Sequence, residues 1–111
     1  MKDSPPTLDG YERVGDADIV AEELRATTLA DGTAICIGIA DGDLFAVQNA
    51  CTHAAFALSD GTLLPGGVIE CAWHGARFDC RTGAALQEPA FDPLTRFDVQ
   101  VADGGVWVRK P

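Results

Sequence analysis

Cys51-Thr52-His53 and Cys71-Ala72-Trp73-His74 contain both histidines of the chain and two of its four cysteines. The pattern is C-x-H, seventeen residues, then C-x-x-H. Thiolate and imidazole side chains grouped on two short stretches describe a metal site. Each stretch supplies one sulfur and one nitrogen, so the site has two unlike ends. A [2Fe–2S] cluster with two cysteines on one iron and two histidines on the other needs this set of ligands. A Cys2His2 zinc site is the inorganic rival. Structural zinc usually employs C-x(2–4)-C knuckles, and neither half here contains one.

Such ligands need a scaffold that presents two loops side by side. Five Asp-Gly dipeptides, at Asp9, Asp31, Asp41, Asp60 and Asp103, suit the positive φ angles of tight hairpin turns. Between them, residues 11–14, 24–29, 34–39, 44–48, 68–70, 77–79, 96–101 and 106–109 read as strands. The clearest hairpin has Phe97, Val99 and Val101 alternating with polar residues. It turns at Asp103-Gly104-Gly105 and continues through Val106 and Val108. Trp107 falls out of step with its neighbours and belongs on the other face of its strand, where a docking role is open to it. Residues 16–25 carry a weak helical pattern worth a turn or two. The expected fold is all-β, an antiparallel sandwich or barrel with a small cluster-binding subdomain of two loops. Both ligand stretches come directly after predicted strand ends, where a rigid frame can fix them.

The chain has 111 residues, which suits one domain with its own core. Residues 1–9, with two prolines and no periodic pattern, are expected to form a flexible N-terminal tail. Residues 10–111 make the domain, with the cluster-binding part at about 49–90. No apolar run approaches the ~20 residues of a membrane span. The start lacks a secretion signal, so a cytoplasmic location is expected. Eight basic against seventeen acidic side chains give a net charge of -9. That excludes nucleic acid and anionic membrane as natural partners, and suits a basic docking patch on another protein or serves solubility alone. The remaining cysteines, Cys36 and Cys80, lie among apolar residues and read as small buried hydrophobes rather than a disulfide.

These residues resemble the Rieske ferredoxins. Cys51-Thr52-His53-Ala54 is similar to the first ligand loop of that family, and Cys71-Ala72-Trp73-His74-Gly75 to the second. Leu58-Ser59-Asp60-Gly61 and Arg77-Phe78-Asp79-Cys80-Arg81-Thr82-Gly83 match the segments just after each loop in the soluble members. Gln87-Glu88-Pro89-Ala90 stands where the family has a loop covering the cluster. The resemblance implies that Cys51 and Cys71 bind the inner iron and that His53 and His74 bind the outer, solvent-facing one. Gly75 would let the backbone pass close to the cluster, and backbone N–H groups of both loops would steady the charge added on reduction.

Membrane-bound Rieske proteins of respiratory complexes tie the two loops with a disulfide. The corresponding positions here hold Phe56 and Trp73. Trp73 would shield the cluster, or steer electrons to a partner. Those proteins also donate hydrogen bonds to the cluster from a serine and a tyrosine, where this chain has Ala76 and Phe78. Such bonds favour the reduced form, so their loss implies a potential in the lower part of the roughly -150 to +300 mV that Rieske centres span. Asp79, Asp92 and Glu70 read as solvated charges near the site.

A low-potential soluble member resembles the electron shuttle of bacterial aromatic-ring-hydroxylating dioxygenase systems. There a flavoprotein reductase, fed by NAD(P)H, passes single electrons through the ferredoxin to a terminal oxygenase. The chain is too short for a catalytic iron domain or a flavin domain, and it lacks a dinucleotide fingerprint, so it is expected to be no enzyme itself. Two alternatives are a Rieske-like small subunit of nitrite reductase or another oxidoreductase complex, and a zinc-stabilised interaction module. Many subunits of the first kind have lost cluster ligands, whereas all four positions are filled here.

Overall fold

A computed structural model describes residues 10–50, 57–72, 75–87 and 92–111. Among the described residues, ten strands run in chain order: β1 (Glu12–Asp16), β2 (Arg25–Thr28), β3 (Ala34–Ala40), β4 (Asp43–Gln48), β5 (Thr62–Leu64), β6 (Val68–Glu70), β7 (Arg77–Asp79), β8 (Ala85–Gln87), β9 (Asp98–Ala102) and β10 (Gly105–Arg109). They form three antiparallel sheets, ordered β1-β10-β9, β2-β3-β4 and β5-β6-β7-β8. No described helix is long and apolar enough to cross a membrane.

Strands β3 and β4 of the middle sheet are buried on both faces, and the alternation of their side chains explains how. Ile35 and Ile37 of β3 point one way and join Ala46, Phe97, Val106 and Val108 against the β1-β10-β9 sheet. Cys36 and Ala40 point the other way. They join Phe45, Val47, Leu58, Ile69 and Phe78 against the sheet that carries the second ligand stretch. A strand apolar on both faces therefore welds the scaffold to the candidate site. Each fully buried isoleucine contributes about 1.5–3 kcal/mol relative to exposure.

The weak helical pattern at 16–25 yields one 3-10 turn, Ala17–Ile19, as expected. Other sequence expectations resolve differently. The sequence expectations did not include β5 and β8, Thr62–Leu64 and Ala85–Gln87. They complete the small sheet by pairing with β6 and β7. Asp41-Gly42 and Asp103-Gly104 do turn hairpins, with consecutive positive φ angles of 52° and 84°, and 52° and 72°. Asp60-Gly61 does not. Gly61 has φ -89° and ends the 3-10 turn Leu58–Asp60. A Cβ on Gly61 would lie 2.1 Å from the Glu70 carbonyl oxygen, so close approach to β6 is what requires glycine there.

The terminal hairpin has its expected register, with Val101 opposite Val106. Val106 is shut off from water, but Val101 is 44% exposed because β9 forms the edge of its sheet. Trp107 lies half-buried between buried Val106 and Val108, and its indole Nε1–H donates to the Ala102 carbonyl at 3.0 Å. The N-terminal tail, Phe56 and Trp73 lie outside the described residues.

Candidate metal centre

The first ligand stretch leaves the end of β4, and its base is laced shut. Asn49 Nδ2 donates to Ser59 Oγ at 3.0 Å, and the Ser59 N–H donates back to Asn49 Oδ1 at 2.8 Å. These reciprocal bonds span the ten positions that include Cys51 and His53. Gln48 braces the same corner. Its Nε2 donates to the Ala50 carbonyl at 2.9 Å, and its Oε1 accepts from the Thr95 N–H at 2.7 Å. Sequence reasoning missed Asn49, Gln48 and Ser59 as supports. Their amide and hydroxyl groups beside a ligand loop were the available signal, but their partners lie 10 and 47 positions away.

The second stretch leaves β6 and returns as β7. The Cys71 N–H donates to the Ala76 carbonyl at 2.7 Å, which draws the loop into a tight bend. Below it, Ile69 and Phe78 face each other across the hairpin, both fully buried. On the opposite face, Glu70 and Arg77 form the last cross-strand pair before the loop. Arg77 Nη2 and Nε lie 2.9 and 3.0 Å from the same carboxylate oxygen, Glu70 Oε2. Glu70 is therefore not the solvated charge expected of it; its register places a guanidinium directly opposite. The Asp79 carboxylate accepts from the Arg81 N–H at 2.8 Å, so it too has a fixed partner. Asp92 is exposed.

Cys71 is 1% exposed and packs in the apolar cluster with Ile69, Ala76 and Phe78. A bare thiolate in such a place would be costly, and a bound cationic centre removes that cost. A buried sulfur at a strand end, on a loop closed at its base, fits the inner end of a two-iron cluster. Ala76 and Phe78 are fully buried around it and bring no hydroxyl. Cys51, His53 and His74 lie outside the described residues, as do Glu88, Pro89 and Ala90 of the expected covering loop.

The other two cysteines behave as packing residues. Cys36 is fully buried on β3, and burial pushes its thiol from 9.0 up to about 12. Cys80 is 2% exposed and shares the cluster of Phe78, as expected; burial raises its pKa, partly offset by the Arg81 charge.

Comparison with known proteins agrees with this geometry. The family model described as "Rieske [2Fe-2S] domain" matches residues 11–98. The ferredoxin component of the p-cumate 2,3-dioxygenase system of Pseudomonas putida is 36% identical over 91 residues, covering 82% of this chain and 77% of that protein. The biphenyl dioxygenase ferredoxin subunit of Pseudomonas sp. (strain KKS102) is 36% identical over 78 residues, 70% of this chain and 72% of that one. Among solved structures, the Sphingomonas yanoikuyae B1 ferredoxin superposes with a TM-score of 0.81 at 34% identity, covering 90% of this chain and 98% of that one. A chain from the complex of reduced oxygenase and oxidized ferredoxin in carbazole 1,9a-dioxygenase gives 0.80 at 31% identity, covering 92% and 96%. With the family model spanning most of the chain and these likenesses beside it, the chain belongs to the Rieske [2Fe-2S] domain family and is built for one such cluster.

Proposed function

We propose that this protein is the electron-carrying ferredoxin of a multicomponent aromatic-ring dioxygenase system. In this reading Cys51 and Cys71 hold the inner iron of the cluster, and His53 and His74 the outer one. When bound, the cluster supplies reversible one-electron redox chemistry. The chain's own residues do the rest. Asn49 and Ser59 fix the first loop, Cys71 N–H and Ala76 fix the second, and Ile69 and Phe78 keep water from the sulfur side. The cluster-binding part is residues 49–90 of a domain spanning 10–111.

The observation that carries the reading is an intact four-ligand pattern on a chain similar along most of its length to dioxygenase ferredoxin components. The partners are a flavoprotein reductase that draws on NAD(P)H and a terminal oxygenase, both cytoplasmic. The chain relays electrons and leaves substrate oxidation to the oxygenase.

Purified protein should contain iron and sulfide in the proportion of one [2Fe–2S] cluster per chain, and give a rhombic EPR signal when reduced. His74→Cys should alter that signal. A colourless protein that holds zinc, or an unchanged signal in His74→Cys, defeats the ligand assignment. In a mixture of reductase and oxygenase, leaving this protein out should stop NAD(P)H-dependent substrate oxidation.

A further inference from the structure

We infer that Glu70 and Arg77 each bias the redox potential of the centre, in opposite directions that their ion pair balances, so that the pair is not only a staple across the hairpin. The inference rests on the electron-carrier reading. Glu70 immediately precedes Cys71, and Arg77 comes three residues after His74. The two face each other on the last rung of β6 and β7 before the ligand loop. Glu70 Oε2 accepts from Arg77 at 2.9 and 3.0 Å and lies 4.0 Å from where a Cβ on Gly75 would stand. The carboxylate thus reaches beneath the residue that adjoins His74. Its backbone is fixed as well, since the Glu70 carbonyl packs against Gly61 too tightly for any side chain there.

Charge so near the ligands acts on the electron. Reduction of the centre adds one negative charge. A carboxylate beside the loop opposes that step, and a guanidinium favours it. Held on one shared oxygen, the two work against each other. Their side chains are 30% and 41% exposed, so solvent screens each charge only in part.

The sign of the effect separates this role from a mechanical one. Glu70→Gln leaves the guanidinium unopposed and should favour the reduced form by about two- to tenfold, tenfold being 59 mV for one electron. Arg77→Gln leaves the carboxylate unopposed and should shift the ratio by a similar factor in the opposite direction. The double variant Glu70→Gln/Arg77→Gln should return close to the parent, as should Arg77→Lys, which keeps the charge but loses the second bond. Loosening of a hairpin would instead move both single variants the same way and the double variant furthest.

The test is redox titration of the loaded protein monitored by EPR, with thermal unfolding of each variant measured in parallel. Opposite shifts that cancel in the double variant support the inference. Shifts of one sign, or no shift in either single variant, overturn it. Should Arg77→Gln fail to keep the cluster, Glu70→Gln and Arg77→Lys still decide, since only charge cancellation predicts a rise in the first and none in the second. Absence of a Rieske signal in the parent protein overturns the electron-carrier reading, and this inference with it.

Discussion

Cys36 and Cys71 lie in the same apolar cluster, each all but closed to water, yet their proposed roles are opposite. Cys36 sits within a strand, with isoleucines on either side. Its thiol is pushed up to about 12 by burial alone. The neutral form is therefore favoured by folding. That contribution is whole below about 9, where the unfolded thiol begins to ionise, and drains away as pH climbs toward 12. In native protein at about pH 8, Cys36 and Cys80 should resist iodoacetamide and react only once denaturant is added, as read by mass spectrometry of the modified peptides. Alkylation of Cys36 in the native state at the rate of an exposed thiol would contradict its burial. Cys71 differs by position: it ends a strand and opens a bend.

The hairpins and turns supply what single residues cannot. Loops of a ligand site need a closed base, and the two here are closed by different chemistry. The second uses a backbone bond and an ion pair; the first uses the side chains of Asn49 and Ser59. Asn49→Ala removes both bonds of the first clamp and leaves the part-buried Ser59 N–H unsatisfied, a loss of about 1–3 kcal/mol. Its unfolding midpoint should fall accordingly, and its visible absorbance should bleach faster with an iron chelator than that of the parent. Equal bleaching rates would show that the first loop does not depend on this clamp. The Asp60-Gly61 dipeptide teaches a related lesson. Its composition suggests a hairpin, but the β6 carbonyl running past Gly61 decided its geometry.

At the scale of the whole molecule, most of the described basic side chains are committed to acidic partners. Among the described residues, Arg13, Arg25, Arg77, Arg81, Arg109 and Lys110 each lie against a carboxylate. Such exposed pairs contribute little stability, about 0–1 kcal/mol each. Their greater effect is on the field, because a net charge of -9 is then expressed by acidic groups with little opposing charge between them. Asp31, whose carboxyl is held well below its usual range by Lys110 and Thr33, stays ionised far into acid. A partner should therefore present a basic surface. Its association rate should fall by about tenfold or more between roughly 50 and 500 mM salt, measured by stopped-flow electron transfer. A salt-independent rate would show that docking does not use this field.

The sequence by itself determined the Rieske family, the all-β class and most strands, because these depend on residue type and short-range pattern. C-x-H and C-x-x-H point to the family without coordinates, and β-rich runs between turn residues mark most of the strands. Only the tertiary structure decided which groups brace the loops and which charges oppose one another. Asn49 finds Ser59, Gln48 finds Thr95 and Glu70 finds Arg77 through loop closure and strand register, over separations that no local pattern encodes. It also decided that β3 is covered on both sides while Val101, equally apolar, stays at an open edge, since coverage depends on how whole sheets stack.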